Sequence, residues 1–180
     1  MKILPTKLQD AKILQPDVFE DNRGFFQTYL KQEDYQALNF VPVEFNESYT
    51  KKHGTFRGVH FQKPPYSQAK IVRVSQGAVY DIIVDLRRDS PTYLQSIRVL
   101  LSAENHTLLY VPKGFGHSFV TLTDNVIFNY IVDAPYNKAL DCSIRYNDPQ
   151  LNLPLQDITI TFLSEKDKNA PLLQEKGELF

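Results

Sequence analysis

Apolar side chains recur along this chain with a period of two rather than 3.6. Over 78–86 one side of the pattern reads Ala78, Tyr80, Ile82, Val84 and Leu86, and the other carries Asp81 and Asp85. That alternation predicts a half-buried strand. Val126, Phe128, Tyr130 and Val132 line one face of a second strand. Segments 68–75, 94–101, 107–111, 117–123 and 157–162 read as further short strands, rich in Val, Ile, Leu, Thr and aromatics. Turn formers separate them, at Gly77, Asp89–Pro91, Pro112–Gly114, Thr123–Asn125 and Asn147–Pro149. Helix is expected only over Lys31–Leu38 and near Ser164–Leu173, where Ser164 is placed as N-cap with Asp167 three residues on, a variant of the capping box. Short strands at intervals of about ten residues predict an all-β fold. The expected architecture is a cupin-type double-sheet jelly roll with short peripheral helices, in a single domain spanning 1–180. Another β-sandwich is the alternative.

Composition narrows the function classes. Twenty basic and 21 acidic residues leave a net charge of −1, which offers no nucleic-acid face. No apolar run is long enough to span a membrane. The first twenty residues include Pro5, Asp10, Pro16, Asp17 and Glu20, unlike a signal peptide. A single cysteine, Cys142, excludes an intrachain disulfide framework. These features together predict a cytoplasmic protein.

Four histidines, His53, His60, His106 and His117, lack the His-x-His spacing with which many cupins hold a metal. No metal and no cofactor are expected. His53 and His106 lie in polar, turn-like stretches and read as solvated. Thr55–Gln62 is the richest segment. It carries Arg57 and His60, which strict alternation sends to opposite faces. Gly58 between them could admit a bulge that re-aims one side chain. The pair then reads as an anion-binding cation beside a titratable base. On spacing alone, the favoured reading is a solvated arginine and a core histidine. Lys70, between Ala69 and Ile71, is either a buried functional amine or an edge-strand guard. Gly114-Phe-Gly-His117 is either a backbone approach to a ligand or a tight turn. Tyr130 is expected to point into the barrel, where its phenol needs a partner. Asp21–Phe26 reads as a turn feeding a strand.

Taken in order, these segments resemble the nucleotide-sugar 3,5-epimerases typified by dTDP-4-dehydrorhamnose 3,5-epimerase. The shared segments are Asp21–Phe25, Asn46–Ser48, Gly54–Gln62, Gln68–Lys70, Val84–Thr92, Val111–His117, Asn147–Pro149 and Ser164–Asp167. The resemblance implies a metal-free cupin, dimeric through an exchanged N-terminal strand, with a nucleotide-linked 4-keto-6-deoxy sugar bound inside the jelly roll. By match to the family's motifs, His60 is the base, Tyr130 the acid, Asp167 the carboxylate partnering the histidine and Lys70 the residue facing the keto oxygen. Arg57, His117 and Lys166 match positions around the phosphates and sugar, and Arg23, Phe26 and Asn46 positions that hold the nucleotide. Thr28 stands where the family usually has Glu and Glu44 where it usually has Gln, both nucleotide-contacting positions. Asp141 sits near a usual Glu. Ser118 follows His117 where Gly is usual, and Leu153-Pro154 replaces a usual Trp-Pro. The implied reaction is inversion of C3 and C5 of dTDP-4-dehydro-6-deoxy-D-glucose, giving dTDP-4-dehydro-L-rhamnose for surface polysaccharide. The alternatives are a single-carbon epimerase or ketoisomerase on a related sugar, a sugar-nucleotide-binding cupin without turnover, and a metal-dependent cupin.

Overall fold

The computed structural model describes residues 1–177 and 179–180. In chain order the strands are β1 (Lys2–Pro5), β2 (Lys12–Gln15), β3 (Val18–Asp21), β4 (Gly24–Gln27), β5 (Glu44–Thr50), β6 (Phe56–Gln62), β7 (Lys70–Gln76), β8 (Ala78–Asp85), β9 (Ser96–Ser102), β10 (Leu108–Val111), β11 (Phe115–Thr121), β12 (Val126–Val132) and β13 (Asp141–Ser143). Helix α1 spans Gln32–Ala37, and α2 spans Glu165–Lys168. Among the described residues one sheet has the order β1-β2-β10-β7-β12-β5 and a second β13-β6-β11-β8-β9, while β3 and β4 pair as a separate hairpin. The pairings are antiparallel, as a double-sheet jelly roll requires.

The layer between the two sheets is built by period-two faces. Val72 and Val74 of β7, Leu109 and Val111 of β10 and Val126 and Phe128 of β12 meet Val79 and Ile83 of β8 and Phe115 and Phe119 of β11. Each fully buried side chain of this size contributes roughly 1.5–3 kcal/mol. The expected face of β12 thus points inward, with Tyr130 packed against this core.

Strand β8 differs from its expected half-buried state. Both of its faces are covered, and Asp81 and Asp85 are fully buried. Ile82, Val84 and Leu86 face away from the intersheet layer and pack beneath Ile144, Leu151, Leu153, Leu173 and Leu179 of the C-terminal segment. The apolar side of β8 therefore belongs to a second core, and the side bearing Asp81 faces the jelly-roll interior. Asp85 is satisfied there by Arg87, Ser90 and Thr92.

The C-terminal segment also differs from expectation. Residues 157–162 form no strand, and their one bridge joins Thr55 to Phe162. Their alternation comes from Ile158 and Ile160 packing on the outer core. The stretch expected to be helical over 164–173 shortens to α2, with a 3-10 turn at Leu173–Glu175. Pro171 explains the stop, because the residue before a proline avoids helical geometry. Ser164 caps α2 as expected, accepting from the Asp167 amide at 3.1 Å. α1 matches its expected span, flanked by Lys31 and Leu38.

Candidate active site

A cavity of about 460 Å³ opens between the sheets, within the size range of small-molecule sites. His60 and Arg57 reach it from β6, His117 from β11, Lys70 from β7 and Tyr130 from β12; Lys166 and Asp167 reach it from α2.

Arg57 and His60 share the cavity because β6 carries an extra residue. His117 pairs with His60 and Phe119 with Arg57, so three steps along β6 match two along β11. The bulge falls at Gly58, whose φ is +136°. A Cβ at Gly58 would lie 2.3 Å from Ser118 Cβ, so only glycine fits. The Gly58 amide also donates to the Asp167 carboxylate. Arg57 is held by Thr50 Oγ1 at 3.1 Å and by the Tyr49 carbonyl at 3.2 Å.

Two histidine–aspartate pairs lie side by side across the β6–β11 ladder. His60 Nε2 meets Asp167 Oδ1 at 2.6 Å, and His117 Nε2 meets Asp81 Oδ2 at 2.8 Å. Exposure separates them: the His60 side chain is 33% accessible and that of His117 is 9%. Only His60 offers a ring open enough for proton exchange with a bound molecule. Burial pushes the Asp167 carboxyl up, but the His60 hydrogen bond and charge, Ser164 and the Gly58 amide hold it below the usual carboxylate range. Asp167 thus spends its carboxylate on His60, leaving Ser164 to cap α2 with its hydroxyl.

Across the cavity, β7 is an interior strand between β10 and β12, so Lys70 is not an edge guard. Burial pushes its ammonium down to about 8, with Asp141 and Asp81 opposing that fall. Its Nζ lies 5.9 Å from the Tyr130 ring centroid. Burial pushes the Tyr130 phenol up, the charge of Glu44 adds to this, and Arg57 opposes it. Tyr130 lines the cavity, and its hydroxyl has no hydrogen-bond partner among the described residues.

The glycines near His117 serve packing. A Cβ at Gly116 would meet Val59 and Val84, and one at Gly114 would meet Arg87. His117 lies inside β11 rather than in a turn. At the rim, Lys166 Nζ binds Asp141 Oδ2 at 2.6 Å, and the hydrogen bond from Lys166 holds its own ammonium above the usual value. Asp141 Oδ2 also accepts from the Tyr136 hydroxyl at 3.3 Å, and Glu44 accepts from the Tyr136 amide at 3.0 Å. Asn46 pairs with Tyr130 across β5 and β12 and lines an adjoining groove rather than the cavity.

Arg23, Phe26 and Thr28 are not brought to this cavity. Arg23 and Phe26 sit on the β3–β4 hairpin, where Arg23 pairs with Asp21 and Phe26 is 68% exposed, and Thr28 follows it, exposed. His53 is exposed as expected, whereas His106 is half-buried with its ring edge-on to Phe25 at 4.5 Å. Sequence reasoning missed Asp81, whose place on the polar side of β8 was its only signal, and the cavity-lining Ser48, Phe119 and Ser164. No helix is long and apolar enough to cross a membrane among the described residues, and none of them cluster as a three-ligand metal site.

Comparison with known proteins agrees with this geometry. The family model for dTDP-4-dehydrorhamnose 3,5-epimerase matches residues 5–175. The enzyme of that name from Salmonella typhimurium is 39% identical over 178 residues, covering 97% of each chain. A Bacillus anthracis dTDP-4-dehydrorhamnose 3,5-epimerase, solved with TDP and PPi bound, superposes with a TM-score of 0.90 at 45% identity, covering 96% of this chain and 99% of its own. The Legionella pneumophila 3,5-epimerase, solved in complex with dTDP-4-keto-L-rhamnose, gives 0.87 at 36% identity, covering 96% and 93%. On fold and on sequence across nearly its whole length, the chain belongs to the dTDP-4-dehydrorhamnose 3,5-epimerase family.

Proposed function

We propose that this protein inverts C3 and C5 of dTDP-4-dehydro-6-deoxy-D-glucose, giving dTDP-4-dehydro-L-rhamnose. The observation that carries the reading is the opposition across one cavity of the His60–Asp167 pair on one side and Lys70 with Tyr130 on the other. A ketone at C4 acidifies the hydrogens on C3 and C5. With Nε2 engaged by Asp167, Nδ1 of His60 is left as the basic nitrogen, and Asp167 stabilises the imidazolium that forms. The charged amine of Lys70 stabilises the enolate oxygen, a contribution of roughly 3–4 kcal/mol for one well-placed donor. Tyr130, kept protonated by burial and by Glu44, returns a proton to the opposite face of the ring. The substrate ketone itself holds the electron pair, so the sequence of proton transfers balances without an added redox group.

Arg57, His117 and Lys166 supply positive or donating groups for the diphosphate and sugar at the cavity and its rim. Glu44, Asn46 and Asp141 are assigned to substrate binding; Asn46 pairs with Tyr130 of the cavity wall, and Asp141 binds the cavity-lining Lys166. Arg23, Phe26 and Thr28 act in a partner's site, in a homodimer that exchanges the N-terminal strand. The hairpin's exposed Phe19, Phe25 and Phe26 support this reading, because such apolar surface favours a covering partner. The reaction takes place in the cytoplasm.

The test is the product. Incubation with dTDP-4-dehydro-6-deoxy-D-glucose, followed by NMR assignment of the ring protons, should show the L-rhamno ketone. Inversion at a single carbon would replace this reading with the single-carbon epimerase. Unchanged substrate would reject the activity.

A further inference from the structure

Asp81 is a buried carboxylate that the proton transfers above do not use. It is fully buried on β8, and its Oδ2 is 2.8 Å from His117 Nε2. Among the described residues its Oδ1 is buried without a hydrogen-bond partner. Asp85, two pleats along on the same side of β8, has both oxygens bonded to Arg87, Ser90 and Thr92. Buried charge without full pairing is costly and is retained where it serves another group. The nearest elements show which group. From β9, Ile97 and Val99 pack against this core and are apolar. The ionisable groups lining the cavity are His117, Lys70, His60, Tyr130, Arg57 and, on α2, Asp167 and Lys166; Asp141 lies at its rim. His60 is already bonded to Asp167, and Lys166 to Asp141. Among the described residues Lys70 has no hydrogen-bonded carboxylate, and burial pushes its ammonium down.

We propose that Asp81 is a positioning residue, which fixes His117 through Nε2 and supplies a buried negative charge that keeps the Lys70 ammonium charged facing the substrate ketone. Asp81 does not itself line the cavity, so it acts through these two side chains. The charges of Asp141, at the rim, and of Asp81, beneath the cavity wall, both raise the proton affinity of Lys70 against the effect of burial. In Asp81→Asn the amide oxygen can still accept from His117 while the charge is gone. The inference rests on the role proposed for Lys70, and its test is separable from that role.

Selective labelling of lysine with ¹³C and an NMR titration of the Lys70 Cε resonance measure the charge directly, with no turnover involved. Lys70 should titrate near pH 8 in the unaltered protein and at clearly lower pH in D81N. At pH 8, D81N should lose on the order of tenfold in kcat with KM within twofold, and the alkaline limb of its pH–rate profile should move to lower pH. An unmoved Lys70 titration in D81N would overturn the proposal even if turnover fell. A moved titration with unchanged kcat would leave Asp81's effect on Lys70 standing and instead overturn the role of Lys70. If D81N does not fold, the unaltered protein decides: a Lys70 amine already neutral at pH 7 would overturn the proposal.

Discussion

His60 Nε2 lies 2.6 Å from Asp167 Oδ1, joining residues 107 positions apart in the chain. One comes from a bulged interior strand and the other from the single turn of a short C-terminal helix. The pair forms only when the C-terminal segment covers the outer face of the five-stranded sheet. The proposed proton transfer is thus coupled to closure of the outer core. Asp167→Asn removes the charge that stabilises the imidazolium and should lower kcat by about 10²-fold or more, within the range for general acid–base groups. KM and the circular dichroism spectrum should change little.

Lys70→Met separates function from stability. The folded Lys70 titrates near 8, below its unfolded value of 10.5, so the folded protein binds fewer protons between those limits. Burying the charged amine therefore costs stability below pH 8, and the cost is relieved as pH rises towards 10.5. The variant should be inactive yet more stable at pH 7, by up to roughly 3 kcal/mol. That gain should vanish above pH 10.5 in urea melts run across the pH range.

Tyr130→Phe should uncouple proton abstraction from inversion. His60 can still remove a proton and return solvent deuterium to the same face. NMR in D₂O should show exchange into the substrate with the L-rhamno product suppressed on the order of 10²-fold. Because Tyr130 titrates above its ordinary value, the alkaline limb of the remaining exchange should stay that of Lys70.

Gly58→Ala tests the bulge. The new methyl would meet Ser118 Cβ at 2.3 Å and Ser118 Cα at 2.7 Å, at a φ of +136°. Overpacking and a left-handed backbone together should cost about 3 kcal/mol or more in thermal unfolding. Turnover should fall as well, because the bulge aims Arg57 and His60 at one cavity.

Phe26→Ala tests the shared site. Phe26 is 68% exposed, so the change should barely move the melting temperature of an isolated protomer. It should weaken dTDP binding measured by calorimetry if Phe26 completes a partner's site. Sedimentation across a dilution series should show nucleotide affinity falling as the dimer dissociates.

The jelly roll was readable because period two survives wherever strands cross the core, as at Val126–Val132. The inward side of β8 was not. Its apolar residues point to a second core made by residues distant in sequence, so alternation could not show that the polar side faces the jelly-roll interior. The same inversion hid Asp81. Residues 157–162 alternate for a different reason, packing as a cover without ladder partners. In the site, His60, Lys70, Tyr130 and Asp167 were found through the family's motifs. Spacing could not join His60 to Asp167, because their contact depends on chain folding over 107 residues. The bulge at Gly58 was legible, since glycine between two polar strand residues is a known device for re-aiming one of them.

The proposed reaction depends most directly on His60 as the base. Incubating unaltered protein and His60→Ala with dTDP-4-dehydro-6-deoxy-D-glucose in D₂O, and following the C3 and C5 protons by NMR, measures that proton transfer. Deuterium should appear at both carbons with the unaltered protein and at neither with H60A, whose fold and dTDP binding should be retained. Exchange at an undiminished rate in folded H60A would contradict that role of His60.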